Sequence, residues 1–194
     1  MFPKEAQKED LRVLRTRKLL YEAFLELLSK KGFRSLTVGE ITDQAMVNRA
    51  TFYAHFADKY VLFEYAIREN FRQLLEVQIP DDCGYTTQNL QIVIATVCDF
   101  LHQMKGHCHS VEAQELPPFD EQITGMVREI ISEWFQTDDD PGLGAPVLVA
   151  DIASWAIYGA ARHWSNHRQP ELAVEFAAQI TPMINGILMG VPVP

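Results

Sequence analysis

Apolar residues recur at spacings of three and four along most of the chain, with charged and amide residues between them. No alternating pattern of the kind that marks a half-buried strand competes with this period. From Leu11 to Lys31 the stripe is Leu20, Phe24, Leu27 and Leu28; Lys30 and Lys31 form a basic last turn and Gly32 a stop. Thr37-Val38-Gly39-Glu40 reads as a capping box that opens a short second helix, with Val38, Ile41 and Ala45 inward. Met46-Val47-Asn48 is a tight turn, and Asn48 suits the N-cap of a third helix from Arg49 to about Phe56. Asp58 is placed to cap a fourth, through Val61, Leu62, Tyr65, Phe71 and Leu75 to about Gln78. Beyond a break at 80–84, the period predicts helices over 87–105, 119–137, 146–167 and 170–189, separated by irregular stretches at 106–118 and 138–142. Pro146 and Pro170 suit helix starts, whereas Pro182 predicts a kink. The expected fold class is all-α.

Two short helices after a longer one describe a helix-turn-helix unit. In the third helix, Phe52 and Phe56 lie four apart and share one face, while Arg49, Thr51, Tyr53 and His55 lie mostly off it. A short helix pinned to a core on one side then offers a polar surface on the other. Its expected partner is an anion, the phosphate backbone of DNA.

The charge distribution sharpens that expectation. The chain of 194 residues has a net charge of -9, which taken alone argues against nucleic acid. Residues 1–72, however, hold 13 Lys/Arg against 10 Asp/Glu, a balance of +3, and residues 73–194 hold 4 against 16, a balance of -12. An asymmetry of this size fits nucleic-acid binding by the basic part, with the acidic part kept off DNA. Hydrophobic content of 47% with 22% charged residues is ordinary for a globular protein. The N-terminal ten residues are charged, lack the apolar core of a signal peptide and read as a flexible arm. Cys83, Cys98 and Cys108 form no paired framework, and no apolar run reaches the length of about 18 residues that a membrane span needs. The expectation is a soluble, cytoplasmic protein that makes no membrane contact.

Residues 145–161 are apolar on nearly every side, broken only by Asp151 and Ser154. A helix apolar all round must be covered all round, and in a chain this small self-association is the simplest cover. The last helix, with Leu172, Phe176, Ile180, Ile184 and Leu188, is the natural second element.

Residues 16–63 resemble the DNA-binding domain of TetR-family transcriptional regulators. The likeness rests on Leu20, Ala23, Leu27 and Leu28; Gly32-Phe33; Leu36-Thr37-Val38; Ile41 and Ala45; and Val47-Asn48. It continues through Thr51-Phe52-Tyr53-Ala54-His55-Phe56, Asp58-Lys59 and Leu62. It departs at Met46, which stands where the family usually has a turn glycine, and Gly39 sits inside a helix. The resemblance implies an arm over residues 1–10, a helix-turn-helix domain over 11–57, and a helical ligand-binding and dimerisation domain over 58–194. It implies a homodimer on a palindromic DNA operator, released by a small-molecule effector, with repression the expected outcome. The expected DNA-binding residues are Thr37, Asn48, Arg49, Ala50, Thr51, Tyr53, Ala54, His55 and Lys59. Arg49 is the expected base reader, since its planar fork matches guanine O6 and N7; Tyr53, His55 and Lys59 are expected on phosphates. The expected dimer interface comprises Ala153, Ile157, Ala160, Trp164, Phe176, Ile180 and Ile184. Aromatic and thioether groups at Phe71, Phe100, Met104, Trp134, Trp155 and Tyr158 are the expected lining of an apolar effector pocket.

Two rival readings come from other classes. His102, His107, Cys108 and His109, with Cys98 upstream, carry metal-binding and thiol chemistry, but their spacing matches no zinc pattern, so a metal- or redox-sensing regulator is an alternative only. A helical protein-interaction module without DNA binding is the other. No GxGxxG, P-loop, HExxH or GxSxG motif is present, and neither an enzymatic activity, a cofactor nor a metal is expected.

Overall fold

A computed structural model of the chain describes residues 11–79, 84–108, 119–135, 146–166 and 172–190. These form eight helices: α1 (Leu11–Lys31), α2 (Val38–Ala45), α3 (Arg49–His55), α4 (Lys59–Glu76), α5 (Thr87–Cys108), α6 (Asp120–Trp134), α7 (Pro146–Ser165) and α8 (Ala173–Met189). No strand occurs among the described residues, as the apolar period requires. The N-terminal arm, the acidic loop at 138–142 and the proposed helix start at Pro170 lie outside the described residues.

The chain divides into two compact units. One holds the described residues up to Glu69 together with those within 104–119; the other holds Asn70–Gln103 and, from Asp120, the remaining described residues. The first unit thus runs past residue 57, where the helix-turn-helix domain was expected to end. The reason is packing. The first turns of α4 carry Leu62, Phe63, Ala66 and Ile67 into the same core as Phe24 and Phe33, with Phe63 packed on both rings. Leu20, Phe24, Leu36, Ile41 and Phe52 complete that core. Burying a large apolar side chain contributes roughly 1.5–3 kcal/mol, so residues 58–69 are integral to the domain's stability.

In the second unit, Leu90, Val93, Ile94 and Val97 of α5 and Ile123, Met126, Val127 and Ile130 of α6 are buried. Helix α7 packs on both α6 and α8. Its one internal acid, Asp151, is paired at 3.0 Å with Arg128 of α6, and Ser154 is buried and donates to the Asp151 carbonyl at 2.8 Å. Both polar breaks in the apolar helix are therefore satisfied. Helix α8 runs continuously through Pro182. Pro182 and Ala178, whose carbonyl the proline cannot bond, both lie on the exposed side, where water can replace the lost partner.

Candidate nucleic-acid interface

Three local caps build the site. Thr37 caps α2: its hydroxyl accepts from the Glu40 N–H at 3.3 Å, while the Glu40 carboxylate accepts from the Thr37 N–H at 3.0 Å. Glu40 also pairs with Lys31 at the end of α1. The Lys31 ammonium, then the Thr37 N–H and hydroxyl, hold the Glu40 carboxyl down at about 2. Asn48 caps α3, its Oδ1 accepting from the Thr51 N–H at 2.7 Å and the Thr51 hydroxyl at 2.9 Å. Asp58 caps α4, with Oδ1 accepting from the N–H groups of Tyr60 and Val61 at 2.8 and 2.9 Å.

Between α2 and α3 the turn is carried by Met46 in the left-handed region, φ 55 and ψ 40. Its N–H turns back to the Asp43 and Thr42 carbonyls, and the Val47 N–H follows to Thr42 at 3.0 Å. This closes α2 as a glycine would. The Met46 side chain is 90% exposed, so no packing offsets the left-handed strain.

Helix α3 is anchored by Phe52 and Phe56, both buried. Arg49, Ala50, Tyr53 and Ala54 are exposed, and Thr51 and His55 half-buried. Tyr53 is 57% exposed, and its ring meets that of Phe52 edge-to-face with centroids 5.4 Å apart. The Asn48 carboxamide oxygen and the Thr51 hydroxyl proton are committed to the cap, so these two residues shape the helix start. Arg49 extends back over α2: a Cβ built on Gly39 would lie 2.6 Å from its Nη2 and 3.4 Å from its Cζ. The glycine inside α2 is the floor under this guanidinium. No spacing rule could have revealed that contact.

Lys59 is held within its own domain. Its ammonium donates to the carbonyls of Phe33, Arg34 and Leu36 at 3.0, 3.1 and 2.9 Å. It also sits 4.7 Å from the centre of the Phe33 ring. An ammonium has three donors, and all three are engaged. Burial lowers its pKa below the usual lysine value. Lys59 is the clasp that ties the start of α4 to the loop between α1 and α2.

The residues expected at a dimer interface divide by their burial in the single chain. Ala153, Ile157, Trp164 and Ile184 are buried within the chain's own core, and Ala160, Phe176 and Ile180 are half-buried. An exposed apolar stripe lies on another face of α7, made of Val147, Leu148, Ile152 and Trp155. A helix apolar all round gives its period no preferred face, so the register was shifted.

The six expected pocket residues do not come together as one set. Phe71 and Phe100 are buried and meet edge-to-face with centroids 5.7 Å apart. Trp134 is half-buried against Tyr85, whose hydroxyl bonds Asn185. Met104 and Tyr158 are half-buried, and Trp155, touching Tyr158, is 47% exposed. In the Cys/His cluster, Cys98 is fully buried, and burial followed by the nearby Asp99 charge pushes its thiol up to about 12. It has no thiolate to offer near neutral pH. His102 lies against Trp164. The side chains of His107, Cys108 and His109 lie outside the described residues.

With this geometry in view, the comparisons with known proteins are specific. Residues 20–66 match the family model described as bacterial regulatory proteins, tetR family. The chain is 37% identical over 78 residues to the HTH-type transcriptional regulator YxbF of Bacillus subtilis, a match covering 38% of this chain and 20% of that protein. The chain therefore spans only a fifth of the length of that curated relative. Over the whole fold it is similar to solved structures. A TetR transcriptional regulator from Streptococcus agalactiae aligns with a TM-score of 0.56 at 18% identity, covering 92% of this chain and 98% of that one. The dihydroxyacetone kinase operon activator DhaS aligns with a TM-score of 0.59 at 14% identity, covering 93% and 99%. At these identities the likeness is one of fold.

Proposed function

We propose that the chain, whose residues 20–66 match the tetR family of bacterial regulatory proteins, represses transcription as a homodimer on a palindromic operator and is released by a small-molecule effector. The observation that carries the DNA-binding part is the two-sided character of α3. Phe52 and Phe56 fix the helix to the core, and Arg49, Ala50, Tyr53 and Ala54 project outward. A recognition helix enters the major groove with its N-terminal residues nearest the bases. Arg49 is then the base reader, Ala50 and Ala54 allow close approach, and Tyr53 and His55 donate to phosphates. Thr37 and Asn48 hold the two helix starts, with Thr51 at the cap of α3. Lys59 acts by bracing the domain.

The exposed stripe of Leu148, Ile152 and Trp155 on α7 is the surface we assign to the partner subunit. Two recognition helices then engage major grooves about 34–36 Å apart. An effector in the second unit shifts the balance between a DNA-competent dimer and one with wrongly spaced helices, to the extent that it binds them differently. Helix α4 is the lever, since it contributes Lys59 to the first unit and Leu75 to the second.

Selection of bound fragments from random DNA tests the reading, with Tyr53→Ala protein as control. A shared palindrome recovered by the unmodified protein and lost by the variant is the expected result. Folded, dimeric protein that enriches no sequence, with or without cell extract to supply a corepressor, would leave the interaction module as the better account.

A further inference from the structure

We propose that Gly39 is a specificity-determining residue that works through Arg49. This inference rests on the DNA-binding reading and adds a device to it. Gly39 lies in the first turn of α2 and Arg49 is the first residue of α3, on the next helix. The Arg49 guanidinium occupies the volume that a side chain at Gly39 would fill: an added Cβ would lie 2.6, 3.4 and 3.7 Å from its Nη2, Cζ and Nε. The first distance is too short for any real contact, so a side chain at position 39 and the present Arg49 conformation exclude one another. The atoms in conflict are the far end of a flexible side chain, so the arginine moves and the fold stays.

Two considerations give this seat a consequence for recognition. An exposed arginine has many rotamers, so which of them the neighbouring backbone admits bears on how it meets DNA. Bidentate readout of guanine also requires the planar fork to arrive at a defined height and angle. Glycine is a poor choice for α2 on propensity alone, since it is less favourable than alanine inside a helix. The bare backbone at Gly39 admits the fork to a position that any side chain there would deny it, and thereby bears on which base position it meets.

Position-by-position base preferences, read by selection from random DNA, test this on the full-length protein. The set is wild type, Gly39→Ala, Arg49→Ala, Arg49→Lys and Gly39→Ala/Arg49→Ala, with thermal melting of each. Arg49→Ala and Arg49→Lys are expected to flatten a guanine preference of about 5- to 100-fold at one symmetric pair of operator positions. Gly39→Ala is expected to alter the preference at that same pair while melting at or above the wild-type temperature. In the Arg49→Ala background it is expected to change nothing further. A merely structural role for Gly39 would move the melting temperature and leave base preference intact, overturning the proposal but not the DNA-binding reading. Gly39→Ala acting equally with and without Arg49 would overturn it too. A folded wild-type protein that selects no sequence would overturn both.

Discussion

The Lys59 ammonium lies 2.9 Å from the carbonyl oxygen of Leu36, 23 residues earlier in the chain. Together with its bonds to Phe33 and Arg34, this makes a residue with the appearance of a phosphate contact into a strut inside the domain. The two roles predict different outcomes. Lys59→Met is expected to destabilise the domain by about 2–3 kcal/mol, because hydrogen bonds from a charged donor are worth roughly 1.5–3 kcal/mol and three carbonyls lose theirs. Urea unfolding measures this. The dependence of DNA affinity on salt is expected to keep its wild-type slope, whereas loss of a true phosphate contact would lower it by about one.

Met46 holds a left-handed backbone with a side chain that touches almost nothing. Met46→Gly relieves strain of about 1–2 kcal/mol but gains unfolded-state freedom worth about 0.4–1 kcal/mol. The expected net effect is stabilisation of about 0.5–1 kcal/mol, seen as a higher urea midpoint with unchanged slope. Met46→Val, β-branched at a left-handed position, is expected to move the midpoint the other way.

Asn48 supplies the cap on which α3 depends. A helix of seven residues has too few internal hydrogen bonds to persist unaided. Asn48→Ala is expected to cost about 1 kcal/mol of domain stability. It is also expected to weaken DNA binding at every sequence alike, since it loosens the helix start without removing a base contact. Asn48→Ser is expected to recover most of both.

The Glu40 carboxyl titrates far below its usual range, at about 2 against an ordinary 4.5, through the Lys31 ammonium and then the Thr37 donors. A depressed folded-state pKa contributes stability that is present above the unfolded value and lost as pH falls through the folded one. The wild-type domain is therefore expected to lose this contribution between about pH 4.5 and pH 2. Glu40→Gln is expected to show a shallower acid dependence over that window in chemical unfolding curves collected at each pH.

The exposed stripe on α7 is the proposed subunit contact. Ile152→Lys/Trp155→Glu is expected to convert the dimer to monomer in sedimentation experiments while helical content is kept, since neither side chain is buried within the chain. The same pair of changes is expected to lower operator affinity at least tenfold, about 1.4 kcal/mol, because a single recognition helix loses its tethered partner.

What the sequence made legible follows the range of the interactions. The Thr37–Glu40 box and the Asn48 and Asp58 caps were readable because each joins residues two or three apart. The buried Phe52 and Phe56 were readable because four residues make one helical turn. The bonds of Lys59 were not legible because its partners are 23, 25 and 26 residues away, brought close by the packing of Phe33 and Leu36. The approach of Arg49 to Gly39 was not legible for the same reason: it joins two different helices. The faces of α7 and α8 could not be assigned because Ala153 and Ile157, which ended up inside, differ little in character from Ile152 and Trp155, which did not.

The division of labour within α3 bears on how its target could change. Only Phe52 is fully withdrawn from solvent there, with Phe56 just beyond the helix end, while Arg49, Ala50, Tyr53 and Ala54 face outward. Surface substitutions away from packing and caps usually alter stability by less than about 0.5 kcal/mol. Four positions can therefore be exchanged in combination, and a new binding preference reached by drift or by retargeting, without passing through intermediates that fail to fold.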